Sequence, residues 1–308
     1  MFFMHEYLST APFDLYELHL FHLVAKHRSF TRAAGLAGLT QSAITRQVQG
    51  MEQSLGVNLL ERTTRTVRTT LAGDFLLAES TKLLGDVENS LRRLREEFAG
   101  ARKEVRVGVS RTIGLAYMPG FFHANLSRLP EVACRVSYLG SDAIQSALEA
   151  NELDLGVVCP PARLKPTLRV THEFKDAFTL IGPTSLRPAF QTQAPDRQGR
   201  TAWLAKQNWL LIEEGTQTGR QLRHWMKEQG FEVDPIMQLD NFDLIINLVA
   251  LGMGVSFVPI RALALFNQKR TVSRWAMPER FERNLVVIVR KQRHTPEHLT
   301  RFVENVLF

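Results

Sequence analysis

Gln41, Ser42, Thr45, Arg46 and Gln49 recur at helical spacing along TQSAITRQVQG and face away from Ile44 and Val48. Amides, hydroxyls and a guanidinium on one exposed stripe suit hydrogen bonding to base edges and phosphates. A contact from Arg46 to a guanine edge would be worth ~1–3 kcal/mol of discrimination between bases. The N-terminus of the same helix adds backbone donors for a phosphate. Arg62, Arg65 and Arg68 follow in VNLLERTTRTVRTT, placed to straddle an adjacent minor groove or backbone. The chemistry on offer is the reading of duplex DNA. A plain helical hairpin with a polar face is the alternative this pattern leaves open.

A second set lies in the C-terminal two-thirds. Ser110 and Thr112 follow the apolar run VRVGV, Ser141 follows ACRVSYL, and Gly215, Thr216 and Thr218 follow NWLLIEE. Hydroxyls at strand-to-helix junctions meet free helix N–H groups, an arrangement that attracts a carboxylate or another small anion. Asn241, beside Phe242, opens a further helix and is a weaker candidate. Each of these residues taken singly also reads as a routine helix cap.

Signals for catalysis are missing. The sequence has no GxSxG elbow, P-loop, GxGxxG or CxxC pair, and no catalytic residue is assigned. His294 and His298 stand four apart without a partnering Cys or carboxylate motif, so a solvated face is preferred to a metal site. His19 and His22 read as surface or partly buried histidines of the first helix. Cys134 and Cys159 lack metal spacing and form no disulfide framework, which fits a reducing compartment. No cofactor is expected beyond a small-molecule effector of unknown identity.

The elements that must position these groups follow from caps and periodicity. DLYELHLFHLVAKH reads as a helix capped by Asp14. Ser29 caps a short helix to about Ala37, and Thr40 caps a third to about Leu55, where Gly56 ends it. Ala33, Ala34 and the Gly38-Leu39 turn give the close clearance of a helix-turn-helix, with Ile44 inserted among Leu20, Phe21, Val24 and Phe30. A two-stranded wing with Arg65 near its tip comes next. Leu77, Leu84, Val87, Leu91, Leu94 and Phe98 then form a heptad-like seam on a long helix, which implies a twin helix; packing on its own chain is the alternative. After Gly100 to Glu104, strands at VRVGVS, ACRVSYL, LDLGVV, FTLIGP, NWLLIEE, VSFVP and LVVIVR alternate with helices. Helices from about 112 and 142, and near 219–229, 242–251 and 296–306, complete an α/β pattern of parallel sheets.

Charge is partitioned in the same way. The 308 residues carry a formal net charge of +7. Residues 18–70 hold seven basic side chains against two acidic ones, whereas residues 71–100 hold four against six. A compact basic module precedes a mixed-charge segment, as an anionic partner would require. Arg290, Lys291 and Arg293 read as a solvated face. No signal peptide pattern or spanning apolar run is present, so a cytoplasmic protein without membrane association is expected.

The run SFTRAAGLAGLTQSAITRQVQGMEQSLGVNLLERTTRTVRTTLAG resembles the DNA-binding domain of the LysR-type transcriptional regulators. Phe30, Ala33, Ala34, Gln41, Ala43, Arg46, Gln47, Glu52, Leu55, Gly56, Leu60, Arg62, Arg65, Val67, Ala72 and Gly73 carry it in register. The resemblance implies an N-terminal all-α winged helix-turn-helix over 11–71 and a linker dimerisation helix over 72–99. An effector domain over 104–308 follows, with two doubly wound α/β subdomains resembling periplasmic binding proteins. Subdomain I would comprise about 104–160 and 266–308, and subdomain II about 161–265. Thr31 joins the DNA-facing set. The implied partners are double-stranded DNA with a partly palindromic operator, a small-molecule effector, a homodimer extended to a homotetramer, and RNA polymerase as a candidate.

Four positions depart from the family pattern. Ala37 replaces a usual leucine while Leu36 stands at a usually polar position, as if the apolar contact had moved by one residue. Ser42 replaces a frequent proline. Gly50 replaces a long or basic side chain and is expected to loosen the reading helix.

Overall fold

Asp14 opens helix α1 (Leu15–His27) with a capping box: its Oδ1 accepts from Glu17 N at 2.7 Å, and Glu17 Oε2 accepts from Asp14 N at 3.0 Å. Ser29 caps α2 (Phe30–Ala37) and Thr40 caps α3 (Gln41–Leu55), through bonds from Arg32 N and Ala43 N. Gly38 ends α2 with φ +66°, a left-handed turn that a side chain would strain. The computed structural model describes residues 11–62, 67–266, 271–291 and 295–306. It divides into two units, residues 1–101 and 102–308.

In the first unit Leu20, Phe21, Val24, Ala33, Ile44, Val48 and Met51 are fully buried in one core. The small residues do what their spacing predicts: Ala33 and Ala34 are buried where α2 must pass close to its neighbours. The apolar contact has not moved to Leu36, however. Leu36 is 59% exposed, whereas Ala37 packs against the core. Helical phase explains this, because Phe30, Ala33, Ala34 and Ala37 occupy positions i, i+3, i+4 and i+7 of one face.

Glu52 anchors the wing to α3: its Oε1 accepts from Leu59 N and Leu60 N, both at 2.9 Å. Strands β1 (Leu60–Arg62) and β2 (Val67–Thr69) pair antiparallel, with Glu61 opposite Arg68. Thr70 then caps α4 (Leu71–Phe98). Gly73 is required there, because a Cβ would lie 2.0 Å from the Leu59 carbonyl oxygen. At 1.5 Å per residue α4 is about 42 Å long. Its Ser80 is fully buried and lies 3.2 Å from His22 Nδ1 of α1. Further along, Val87, Leu91, Leu94 and Phe98 are exposed in the single chain.

The second unit begins with β3 (Glu104–Val109), α5 (Arg111–Arg128), β4 (Ala133–Tyr138), α6 (Ser141–Glu149) and β5 (Leu155–Val158). These three strands run parallel in the order β5-β3-β4. Strand β6 (Leu168–Pro183) follows, then α7 (Arg187–Gln193), α8 (Arg197–Leu204), β7 (Trp209–Ile212) and α9 (Gln217–Glu228). The chain closes with β8 (Pro235–Leu239), α10 (Phe242–Ala250), β9 (Ser256–Pro259), β10 (Val272–Trp275), β11 (Glu282–Arg290) and α11 (Glu297–Val306).

Parallel order is only part of the arrangement. β7 and β8 are parallel, but β11 runs antiparallel to both β5 and β6, and β9 and β10 run antiparallel to β6. The reason is the length of β6. Its first part pairs with β11, and Phe178 onward pairs with β9 and β10, so one strand serves two sheet regions. No helix among the described residues is long and apolar enough to cross a membrane.

Candidate DNA-reading surface and ligand cleft

On α3, Gln41, Ser42, Arg46 and Gln49 are exposed, while Thr45 is half-buried. Thr31 Oγ1 donates to Gln41 Oε1 at 3.3 Å and so ties α2 to the start of α3. Ser42 Oγ lies 3.1 Å from Thr40 Oγ1. Thr45 differs from its neighbours: its hydroxyl donates to Gln41 O at 2.7 Å, leaving an acceptor and a methyl group for a base. Arg68 is exposed on β2. The backbone of Arg62 lies in β1, and Arg65 lies outside the described residues. A Cβ on Gly50 would meet nothing within 4 Å, so no close approach accounts for the glycine.

In the second unit a cleft of about 1140 Å³ is lined by Ser110, Thr112, Ser141 and Thr216 among others, but not by Asn241. The candidate hydroxyls thus share one cavity, yet they are not equivalent. Ser110 and Gly140 precede α5 and α6 without any side-chain capping bond, leaving those helix N-termini open. Ser110 Oγ lies 3.3 Å from Thr112 Oγ1. Ser141 Oγ is buried and has no hydrogen-bond partner among the described residues. Thr216 is already committed: it accepts from Gly219 N and donates to Glu213 O, both at 2.9 Å. Asn241 caps α10, where its Oδ1 accepts from Leu244 N and its Nδ2 donates to the neighbouring Asp240.

Sequence reasoning missed the charged groups. Arg111, at the first turn of α5, meets Asp240, just after β8, at 2.5 Å. Hydrogen bonds from Asn241 and Arg111 hold the Asp240 carboxyl below its ordinary range. Beneath the cleft, fully buried Arg283 donates to Asp176 from Nε, to Thr112 O from Nη2, and to Thr112 Oγ1 and Thr218 Oγ1 from Nη1, the last at 2.6 Å, with Nη2 also 2.8 Å from the Asp176 carboxylate. All three guanidinium nitrogens are engaged, which buried charge demands. Burial and the Asp176 carboxylate push the Tyr117 hydroxyl above its usual range. Thr112 and Thr218 therefore act through Arg283. A charge next to an N-cap could have flagged Arg111, but nothing local marks Arg283.

Residues 15–74 match the bacterial regulatory helix-turn-helix protein of the lysR family, and residues 98–307 match the LysR substrate binding domain. The chain belongs to the LysR family. It is a DNA-binding transcriptional regulator of LysR type, not an enzyme. Among curated relatives of this LysR-family regulator is a probable RuBisCO transcriptional regulator of Gracilaria tenuistipitata var. liui. It is 27% identical over 306 residues, covering 96% of both chains. The HTH-type transcriptional regulator BenM of Acinetobacter baylyi is also 27% identical, over 82% of this chain and 83% of its own. The fold matches that of full-length CbnR in complex with its target DNA, with a TM-score of 0.68, 23% identity and coverage of 96% and 99%. It also matches a full-length OxyR variant of Pseudomonas aeruginosa, with a TM-score of 0.67, 20% identity and coverage of 96% and 94%.

Proposed function

We propose that this LysR-family regulator binds a partly palindromic operator as a symmetric homo-oligomer, in the cytoplasm, under control of a small molecule with an anionic group. The effector occupies the cleft between two subdomains, and α3 with the wing reads each half-site. The observation that carries the effector reading is the pair of helix N-termini at Ser110 and Ser141, which open into one cavity without side-chain caps. Amide donors left free at a helix start favour an anion. Closure on the effector would alter the relative angle of subdomains or protomers, and the α4 helices would carry that change to the spacing of the DNA-reading heads.

A competition assay tests the DNA half. The intergenic DNA beside the regulator's own gene should outcompete random DNA of equal length; equal competition overturns the reading. A thermal-shift panel of small organic anions tests the other half. A stabilising anion should lose most of its effect in Ser110→Ala, and an unchanged shift would reduce Ser110 to a bystander.

A further inference from the structure

The two walls of the cleft differ in the hydrogen bonds they leave unmade. The α5–α6 wall offers donors: the uncapped helix N-termini, the Ser110 hydroxyl and the buried Ser141 hydroxyl, unpartnered among the described residues, with the exposed Asp142 carboxylate beside them. The wall built by β7 and α9 offers acceptors. Its helix start is closed by Thr216, which accepts from Gly219 N. Beside that cap stands Glu213, half-buried, with a carboxylate that no ion pair or hydrogen bond meets among the described residues. One turn into α9, Gln221 Oε1 is buried and likewise has no donor.

Cations along the cleft do not cancel this polarity. Of the three arginines that line the cleft, Arg111 is held by Asp240, Arg220 is turned onto the carbonyl oxygens of Glu214 and Gly215, and the exposed Arg163 makes no ion pair with Glu213. An unpaired, partly desolvated carboxylate is costly unless a cation completes it. Neither a simple acid nor a dicarboxylate supplies that cation. A dicarboxylate would also set a second negative charge against Glu213, which selects against it.

We propose that the effector is a zwitterion, a small molecule bearing one carboxylate and one protonated amine. Its carboxylate sits at the α5 and α6 N-termini with Ser110 and Ser141. Its ammonium donates to Glu213 and to Gln221 Oε1. Glu213 is then the residue that separates amino acids from the corresponding simple acids. The assignment rests on the cleft being the effector site, and it adds the sign and placement of a second charge.

The test uses the full-length regulator in thermal-shift and calorimetric titrations. The probes are L-amino acids, the acids lacking the amine, and the amines lacking the carboxylate. One amino acid should bind about 10- to 100-fold more tightly than its matched acid, the range set by a charge-assisted hydrogen bond. Glu213→Gln should erase that preference, Glu213→Asp should retain part of it, and Ser110→Ala should weaken acid and amino acid alike. A matched acid or a dicarboxylate that binds wild type as tightly as any amino acid overturns the proposal. So does an amino-acid preference that survives Glu213→Gln. If simple acids bind in a Ser110-dependent way and amino acids do not, the zwitterion falls and the effector reading stands. If no acid or amino acid binds, both fall.

Discussion

Arg283 shows what single residues do in this molecule. Its guanidinium joins Asp176 on β6 to Thr112 on α5 and Thr218 on α9, and all of them are buried. Arg283→Met would leave the Asp176 carboxylate buried without its partner and should cost about 3–5 kcal/mol in equilibrium urea unfolding. The double variant with Asp176→Leu should recover most of that loss; no recovery would mean the pair is not the unit that matters. No local pattern in the sequence could disclose this, because the partners lie 107, 171 and 65 positions away. Gly50 is the opposite case, legible as an anomaly but not as a cause. With open space around its Cβ, Gly50→Ala should stabilise α3 by about 0.5–1 kcal/mol through lost backbone freedom in the unfolded chain. A lowered melting temperature would reveal a contact that the open space does not suggest.

Among the elements, those governed by local rules are legible: α1, α2 and α3 begin at the caps that Asp14, Ser29 and Thr40 announce. Elements set by tertiary pairing are not. FTLIGP marks only the end of β6, because the preceding RVTHEFKDA is polar and owes its strand state to β11. Helices α7 and α8 are hidden behind Pro188 and Gly199, and β8 and β10 are too short for periodicity to single out. The cleft is half legible: its hydroxyls follow from strand-to-helix junctions, but the charges between them need the folded chain. Contact between α1 and α4 makes a prediction at this scale. Burial, then Lys26, His19 and His27, lower the His22 pKa to about 4 from 6.5. The unfolded chain therefore binds the proton more readily. The contribution of neutral His22 is complete above pH 6.5 and is lost as pH falls toward 4. The melting temperature of the first unit should drop across that window, and His22→Leu should flatten the slope. An identical slope in the variant would assign the effect to other groups.

For the whole molecule, the exposed seam of α4 and the polar stripe of α3 belong to one argument. Val87, Leu91, Leu94 and Phe98 leave a row of apolar side chains uncovered on a helix with a heptad-like repeat. In the proposed homo-oligomer a second copy would supply the matching row. Leu91→Glu should therefore convert the oligomer to smaller species in sedimentation and weaken operator binding; an unchanged mass removes α4 from the interface. Two heads joined in this way would hold their reading helices at a fixed separation, so the half-sites of the proposed operator would have to present the same face of the duplex. Inserting about 5 bp between half-sites turns one of them to the far side, while inserting about 10 bp restores the facing at a longer span. Gel-shift titrations should show the half-turn insertion weakening binding far more than the full-turn insertion. Arg46→Ala should weaken operator binding more than random DNA binding in the same titrations, because base contacts carry sequence and phosphate contacts do not. Equal losses on both DNAs would make Arg46 a phosphate contact, and indifference to the half-turn would mean that the two heads read DNA independently.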